Sequence, residues 1–76
     1  MPSKSATPRR LFGEAVRAER LRQELSQEEL AHRSDITTGF MSRVERGVTA
    51  VSIDSIIKIA RGLGMTGRDL MARAGI

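Results

Sequence analysis

Apolar positions recur along this chain in short helical stretches separated by polar or glycine-containing breaks. Over about residues 9–24, Phe12, Val16 and neighbouring alanines form a stripe of helical period, interrupted by Glu19 and Arg22. Ser26 with Glu29 three residues later is a capping box, so a second helix starts there and turns Leu30 and Ala31 inward. The polar pair Ser34-Asp35 breaks the pattern, Ile36 plugs the corner, and Thr37 caps a third helix running to about Arg46. On that helix Met41 and Val44 face inward, leaving Thr38, Gly39, Ser42, Arg43 and Arg46 facing out. Residues 47–51 read as a connection, because their β-branched run is too short for a strand and has no partner. Ser52 caps a fourth helix, in which Ile53, Ile56, Ile57, Ala60 and Leu63 recur at i, i+3, i+4 spacing. Ile59 adds a second apolar side, so this helix is expected to be the central and most buried one. Leu63-Gly64 is a helix stop, and Thr66 with Asp69 opens a last helix carrying Leu70, Met71 and Ala74. The pattern predicts an all-α bundle of five short helices with no internal repeat.

Composition narrows the class. A chain of 76 residues makes one small domain with a marginal core, and no cysteine staples it. The absence of cysteine also excludes disulfides, thiolate metal sites and thiol nucleophiles. No apolar run approaches the roughly 20 residues of a membrane span, and no signal-peptide pattern opens the chain. The expectation is a soluble cytoplasmic protein without a membrane partner. Phe12 and Phe40 are the only aromatics, which disfavours platforms that stack single-stranded bases. His32 stands alone on a polar helix face and is expected to be exposed, not a metal ligand. With no cysteine and one histidine there is no convergent acid, base and nucleophile set, so an enzyme is not expected. No cofactor is implied.

The net charge of +4 is unevenly placed: Lys4, Arg9 and Arg10 give residues 1–10 a charge of +3, while the remainder is nearly balanced at +1. Pro2, Pro8 and the Ser/Thr residues among residues 1–8 offer little to bury. Residues 1–10 are therefore expected to form a flexible basic arm ahead of a folded domain over residues 11–76. The arm follows a nucleic-acid backbone, enters a minor groove, or stays in solvent. Because the body is almost neutral, overall basicity says little, and the placement of individual side chains carries the functional reading.

That placement centres on residues 26–47, a short helix, a tight turn and a second short helix whose free face holds small and cationic residues. Such a helix suits the DNA major groove, about 12 Å wide, which admits one α-helix. Three segments in order then carry a family resemblance: residues 25–31 (LSQEELA), 41–47 (MSRVERG) and 57–64 (IKIARGLG). In these the chain resembles the DNA-binding domains of lambda-type phage repressors and the XRE family of bacterial regulators, over about residues 12–70. The resemblance implies a lambda-repressor-like five-helix bundle with a helix-turn-helix in the second and third helices. It also implies that Gln27 contacts a DNA phosphate, that Thr37, Thr38, Gly39, Ser42 and Arg43 form the exposed recognition face, and that Arg20 and Glu45 make a buried ion pair. The chain departs from the family pattern at Glu24 and Asp35, where glycine is common, and at Ala50-Val51, where Asn-Pro is common.

Within the recognition face, Arg43 is the expected base reader, since arginine can grip O6 and N7 of guanine with two hydrogen bonds. Thr38 and Ser42 can touch bases or phosphates, and Gly39 would let the backbone approach the groove, at a helix-propensity cost of about 0.5–1 kcal/mol. Phe40 is expected to be buried or half-buried. Ser26, Gln27, Thr37 and Arg46 are the expected backbone contacts, the first three at helix starts where the dipole favours anions. A homodimer on a near-palindromic double-stranded operator is expected, with Met71, Ala74 and Ile76 as the dimer surface. The last helix leaves no second domain for an effector, so no small-molecule ligand is expected. The size fits a restriction–modification controller or a phage or plasmid repressor. An autoregulating antitoxin is the alternative, and a nonspecific DNA-coating protein is disfavoured by the neutral body.

Overall fold

Every helix in the computed structural model, which describes residues 7–76, begins at a serine or threonine in extended conformation. The side chains of Thr7, Ser26, Thr37, Ser52 and Thr66 each accept a hydrogen bond from the backbone N–H three residues on. Each cap satisfies one of the amides that a helix start leaves unpaired. The helices that follow are α1 (Pro8–Arg22), α2 (Gln27–Arg33), α3 (Thr38–Arg46), α4 (Ile53–Gly62) and α5 (Gly67–Ala74). The expected all-α five-helix bundle is what forms. At Ser26 the capping box is complete: Glu29 N–H donates to Ser26 Oγ at 3.0 Å, and Ser26 N–H donates to the Glu29 carboxylate at 2.8 Å. That backbone hydrogen bond, with the Ser26 side chain, holds the Glu29 pKa below its ordinary value.

α1 packs on α3 and α5, α2 on α3 and α4, and α4 on α5. Their shared core comprises Phe12, Val16, Leu25, Leu30, Ala31, Met41, Val44, Ile59, Ala60, Leu63 and Leu70, with Ile36, Phe40, Val51, Ile56, Met65 and Met71 partly buried against it. Two glycines set how closely the helices approach. A Cβ on Gly13 would stand 2.2 Å from the Val44 carbonyl oxygen and 2.9 Å from that of Glu45, so α1 lies directly on the C-terminal backbone of α3. A Cβ on Gly62 would meet Ser34 Oγ at 2.3 Å, which brings α4 equally close to the end of α2.

Three expectations need correction. The helix expected over residues 9–24 begins at Pro8 and ends at Arg22. Thr7 caps its start and proline at the first position is pre-organised for the helix, so Arg9 and Arg10 belong to α1 and not to an arm. Lys4 lies outside the described residues. The early end follows from Glu24, whose φ of 58° turns the chain and sends the Leu25 N–H back to the Arg20 carbonyl at 3.0 Å. Finally, α4 is not buried all round: Ile59, Ala60 and Gly62 are buried within it, but Ile53 and Ile57 are 74% and 40% exposed. Its inward face is thus rotated from the expected stripe, because α2 and α5 cover one side only.

Glu19, which breaks the apolar stripe of α1, is itself buried. Its carboxylate accepts hydrogen bonds from Arg22, from Gln23 Nε2 at 3.0 Å and from Arg73 Nη1 at 2.7 Å, the last reaching across from α5. Gln23 Nε2 also donates to the Leu63 carbonyl at 2.8 Å, closing the end of α4 onto α1. Hydrogen bonds from Arg22 and then Gln23, aided by the charges of Arg22 and Arg73, outweigh burial and lower the Glu19 pKa from 4.5 to about 2. A carboxylate depressed in the folded state stabilises it fully above its unfolded pKa, and that stabilisation is lost as pH falls from about 4.5 through about 2. Glu19→Gln should therefore cost about 1.5–3 kcal/mol at neutral pH, the scale of hydrogen bonds to a charged group. It should also flatten the stability loss across that acid window. Urea denaturation of both proteins at several pH values checks both outcomes.

Candidate nucleic-acid interface

The orientation of α3 is fixed from both ends. At its start, Asp35 adopts a φ of 55°, and the Ile36 N–H returns to the Ala31 carbonyl at 3.0 Å, closing the turn after α2. Asp35 and Glu24, the two places where the chain lacks an expected glycine, are thus both left-handed. Thr37 then caps α3 by accepting from the Phe40 N–H at 3.0 Å. At the far end, Arg20 Nε and Nη2 donate to the Glu45 carboxylate at 2.7 and 3.0 Å, and Arg20 Nη1 donates to the Leu25 carbonyl at 2.8 Å. Both residues of the pair are buried, and hydrogen bonding to Glu45 raises the Arg20 pKa further above its ordinary value.

Gln27 joins this pair. Its Nε2 donates to Glu45 Oε1 at 3.1 Å, so the side chain expected to meet a phosphate is tied to α3. One carboxylate thereby connects α1, α2 and α3. No local sequence signal marks this role, since Gln27 and Glu45 are 18 residues apart.

The outer face of α3 carries few internal obligations. Thr38, Gly39, Arg43 and Arg46 are exposed and Ser42 is half-buried. The Arg43 guanidinium lies 5.7 Å from the centroid of the half-buried Phe40 ring, within cation–π range. A Cβ at Gly39 would meet only Arg43 Nη1, at 3.8 Å, so internal packing does not demand glycine there. Arg46 Nε donates to the Ser42 carbonyl at 3.3 Å, and its own carbonyl accepts from Arg10 Nη1 at 3.2 Å. Ser26 and Thr37 are exposed at adjacent helix starts, their hydroxyl oxygens accepting from backbone amides of their own helices. The capped helices α2 and α3 and the turn between them together make a helix-turn-helix.

The residues expected at a dimer surface separate. Ala74 is only 7% exposed and packs inward, so it offers no surface. Met71 is half-buried against the core, and Ile76 is 51% exposed. Met71 and Ile76 line an apolar groove of about 360 Å³ with Phe12, Val51 and Ile56. Exposed histidine and acidic groups form no cluster of three metal-ligating side chains among the described residues, and no helix there is long and apolar enough to cross a membrane.

The helix-turn-helix family model matches residues 16–70. The control protein C.BamHI of Bacillus amyloliquefaciens is 44% identical over 64 residues, covering 83% of this chain and 79% of that protein. Among solved structures, the restriction–modification controller C.AhdI of Aeromonas hydrophila superposes with a TM-score of 0.79 at 37% identity, covering 82% of this chain and 94% of its own. The clp gene regulator ClgR of Corynebacterium glutamicum reaches a TM-score of 0.85 at 29% identity, over 91% of this chain and 73% of that one. The chain belongs to the helix-turn-helix family of XRE-type regulators, which are DNA-binding proteins and not enzymes.

The buried pair generates a stability prediction. Arg20→Ala should cost about 3–5 kcal/mol, because Glu45 is left charged and without its main partner. Arg20→Met combined with Glu45→Leu should cost much less, since an apolar pair leaves no charge stranded. Chemical denaturation of the single and double variants compares them directly.

Proposed function

We propose that this protein is a sequence-specific transcriptional regulator of the restriction–modification controller type. It binds a near-palindromic double-stranded operator as a homodimer, in the bacterial cytoplasm. The observation that carries the reading is the exposed α3 face, where Thr38, Gly39, Ser42 and Arg43 stand on a helix locked at both ends. The controller assignment rests on C.BamHI and C.AhdI, both named as controllers and both matching most of this chain.

In this reading Arg43 reads a guanine with Nη1 and Nη2, while Thr38 and Ser42 make shorter contacts and Gly39 keeps the backbone close to the groove. Arg46, Thr37 and Ser26 meet phosphates and set register. Gln27 contributes through its position at the α2 start more than through its amide, which already serves Glu45. No effector or cofactor enters the scheme.

The dimer surface shifts from the residues first expected. Ile53 and Ile57, one turn apart on α4, are exposed apolar groups, as is Ile76. A second copy of the chain covering them would remove this apolar area from water and set two α3 helices in successive major grooves, about 34–36 Å apart.

Selecting bound duplexes from a random pool tests the reading, and a symmetric motif is the expected result; binding without any preferred sequence would refute it. On the selected duplex, Arg43→Ala should cost about 1–3 kcal/mol and relax preference at one base pair per half-site. Arg46→Ala should weaken all sequences alike. Titration against single-substituted duplexes separates the two, and unchanged preference in Arg43→Ala would remove its base-reading role. Ile57→Lys should shift sedimentation equilibrium toward monomer while leaving helical content intact.

A further inference from the structure

Arg10, Gly13, Glu14 and Arg17 share one face of α1 at i, i+3, i+4, i+7 spacing. That face runs beside the C-terminal end of α3, since Gly13 sits against the Val44 and Glu45 carbonyls. Between the two helices lies a cleft of about 410 Å³ lined by Arg10, Glu14, Arg17, Glu45, Arg46 and Val48. Three guanidinium groups and two carboxylates therefore border it. Glu45 is already held by Arg20 and Gln27. Glu14 Oε2 stands 3.6 Å from Arg10 Nε, beyond hydrogen-bonding distance, and Arg10 Nε is buried without an acceptor. Arg17 is exposed and has no hydrogen-bond or ion-pair partner among the described residues. The cleft thus has excess positive charge and an unfilled donor.

We infer that this cleft is a second phosphate site for the DNA backbone, with Arg17 and Arg10 acting beside Arg46. The inference rests on the reading of α3 as the helix that faces DNA. A helix inserted in the major groove brings the bordering sugar–phosphate strand past its ends, and Arg46 belongs both to the α3 end and to the cleft. Such a contact adds affinity and register without reading sequence. Arg10 also neutralises the α3 C-terminus by donating to the Arg46 carbonyl. Arg17 makes no such bond, so it is the residue through which the site is tested.

Wild type, Arg17→Gln and Arg17→Lys are titrated against the selected duplex over a range of potassium chloride. The expected result is a slope of log affinity against log salt that is shallower in Arg17→Gln by about 0.9 for each Arg17 meeting a phosphate. Base preference and melting temperature should be unchanged, and Arg17→Lys should restore the slope. Replacing single phosphates by neutral methylphosphonates should reveal one position per half-site that weakens wild type more than it weakens Arg17→Gln. Equal slopes and identical methylphosphonate profiles would overturn the cleft site, while selective binding by the same wild type would leave the α3 reading standing. A wild type that bound random duplex as tightly as the selected one would overturn the α3 reading, and the Arg17 slope would still decide the cleft.

Discussion

The Glu45 carboxylate is the joint on which the geometry of the helix-turn-helix depends. It lies on α3, accepts twice from Arg20 on α1, and accepts from Gln27 at the start of α2. Arg20 in turn holds the Leu25 carbonyl, the last residue before the α2 cap. Hydrophobic packing of Met41 and Val44 holds α3 against the core but discriminates poorly between small rotations of a short helix. Directional hydrogen bonds to a buried carboxylate do discriminate, since each misplaced donor leaves a charge unsatisfied. The absence of a Gly13 side chain makes the joint possible by letting α1 rest on the backbone of α3.

Glu19 performs the complementary task on the other side of α1. Consecutive helix residues point roughly 100° apart, so Glu19 and Arg20 leave α1 toward different neighbours. Arg20 turns to α3, whereas Glu19 meets Arg73 of α5, and Gln23 links the same carboxylate to the end of α4. α1 is therefore the hub, and its two adjacent charged residues divide the bundle into a helix-turn-helix half and a supporting half. The supporting half leaves Ile53 and Ile57 exposed. A Cβ on Gly67 of α5 would stand 3.8 Å from Ile57 Cγ1, so α5 covers Ile57 in part while Ile53 stays 74% exposed.

How much of this was legible in the sequence depended on whether the signal was local. Ser26, Thr37, Ser52 and Thr66 act within three residues of themselves, and all four helix starts were readable. Thr7-Pro8 carries the same signal, but its basic, proline-containing surroundings read as a solvated arm. Glu24 and Asp35 were visible as departures from a glycine pattern, and their positive φ values show the pattern reported geometry. What failed needed a partner distant in sequence. Glu19 looked like an interruption because Arg73 is 54 residues away, and Ala74 looked available for a partner because periodicity cannot say which neighbour fills the space beside it. The rotation of α4 failed for the same reason: Ile53, Ile56, Ile57 and Ile59 define several apolar faces, and only the packing of α2 and α5 selects one.

The polar joints also decide which charges remain free at the surface. Arg20 is neutralised by Glu45, and Arg22 and Arg73 share Glu19. These cations contribute to folding and little to the outward field, because each is within contact distance of a buried carboxylate. Arg43 has only its own Phe40 ring for company, and Arg46 only backbone. The nearly balanced body then limits attraction to arbitrary duplex, since nonspecific affinity grows with the number of phosphates neutralised. Discrimination is the ratio of specific to nonspecific binding. Arg43 and Arg46 are not the only free cations: Arg9, Arg17, Arg33, Lys58, Arg61 and Arg68 also have no ion pair among the described residues. The buried carboxylates that tie α1 to α3 and α5 also remove Arg20, Arg22 and Arg73 from the free charge of the surface.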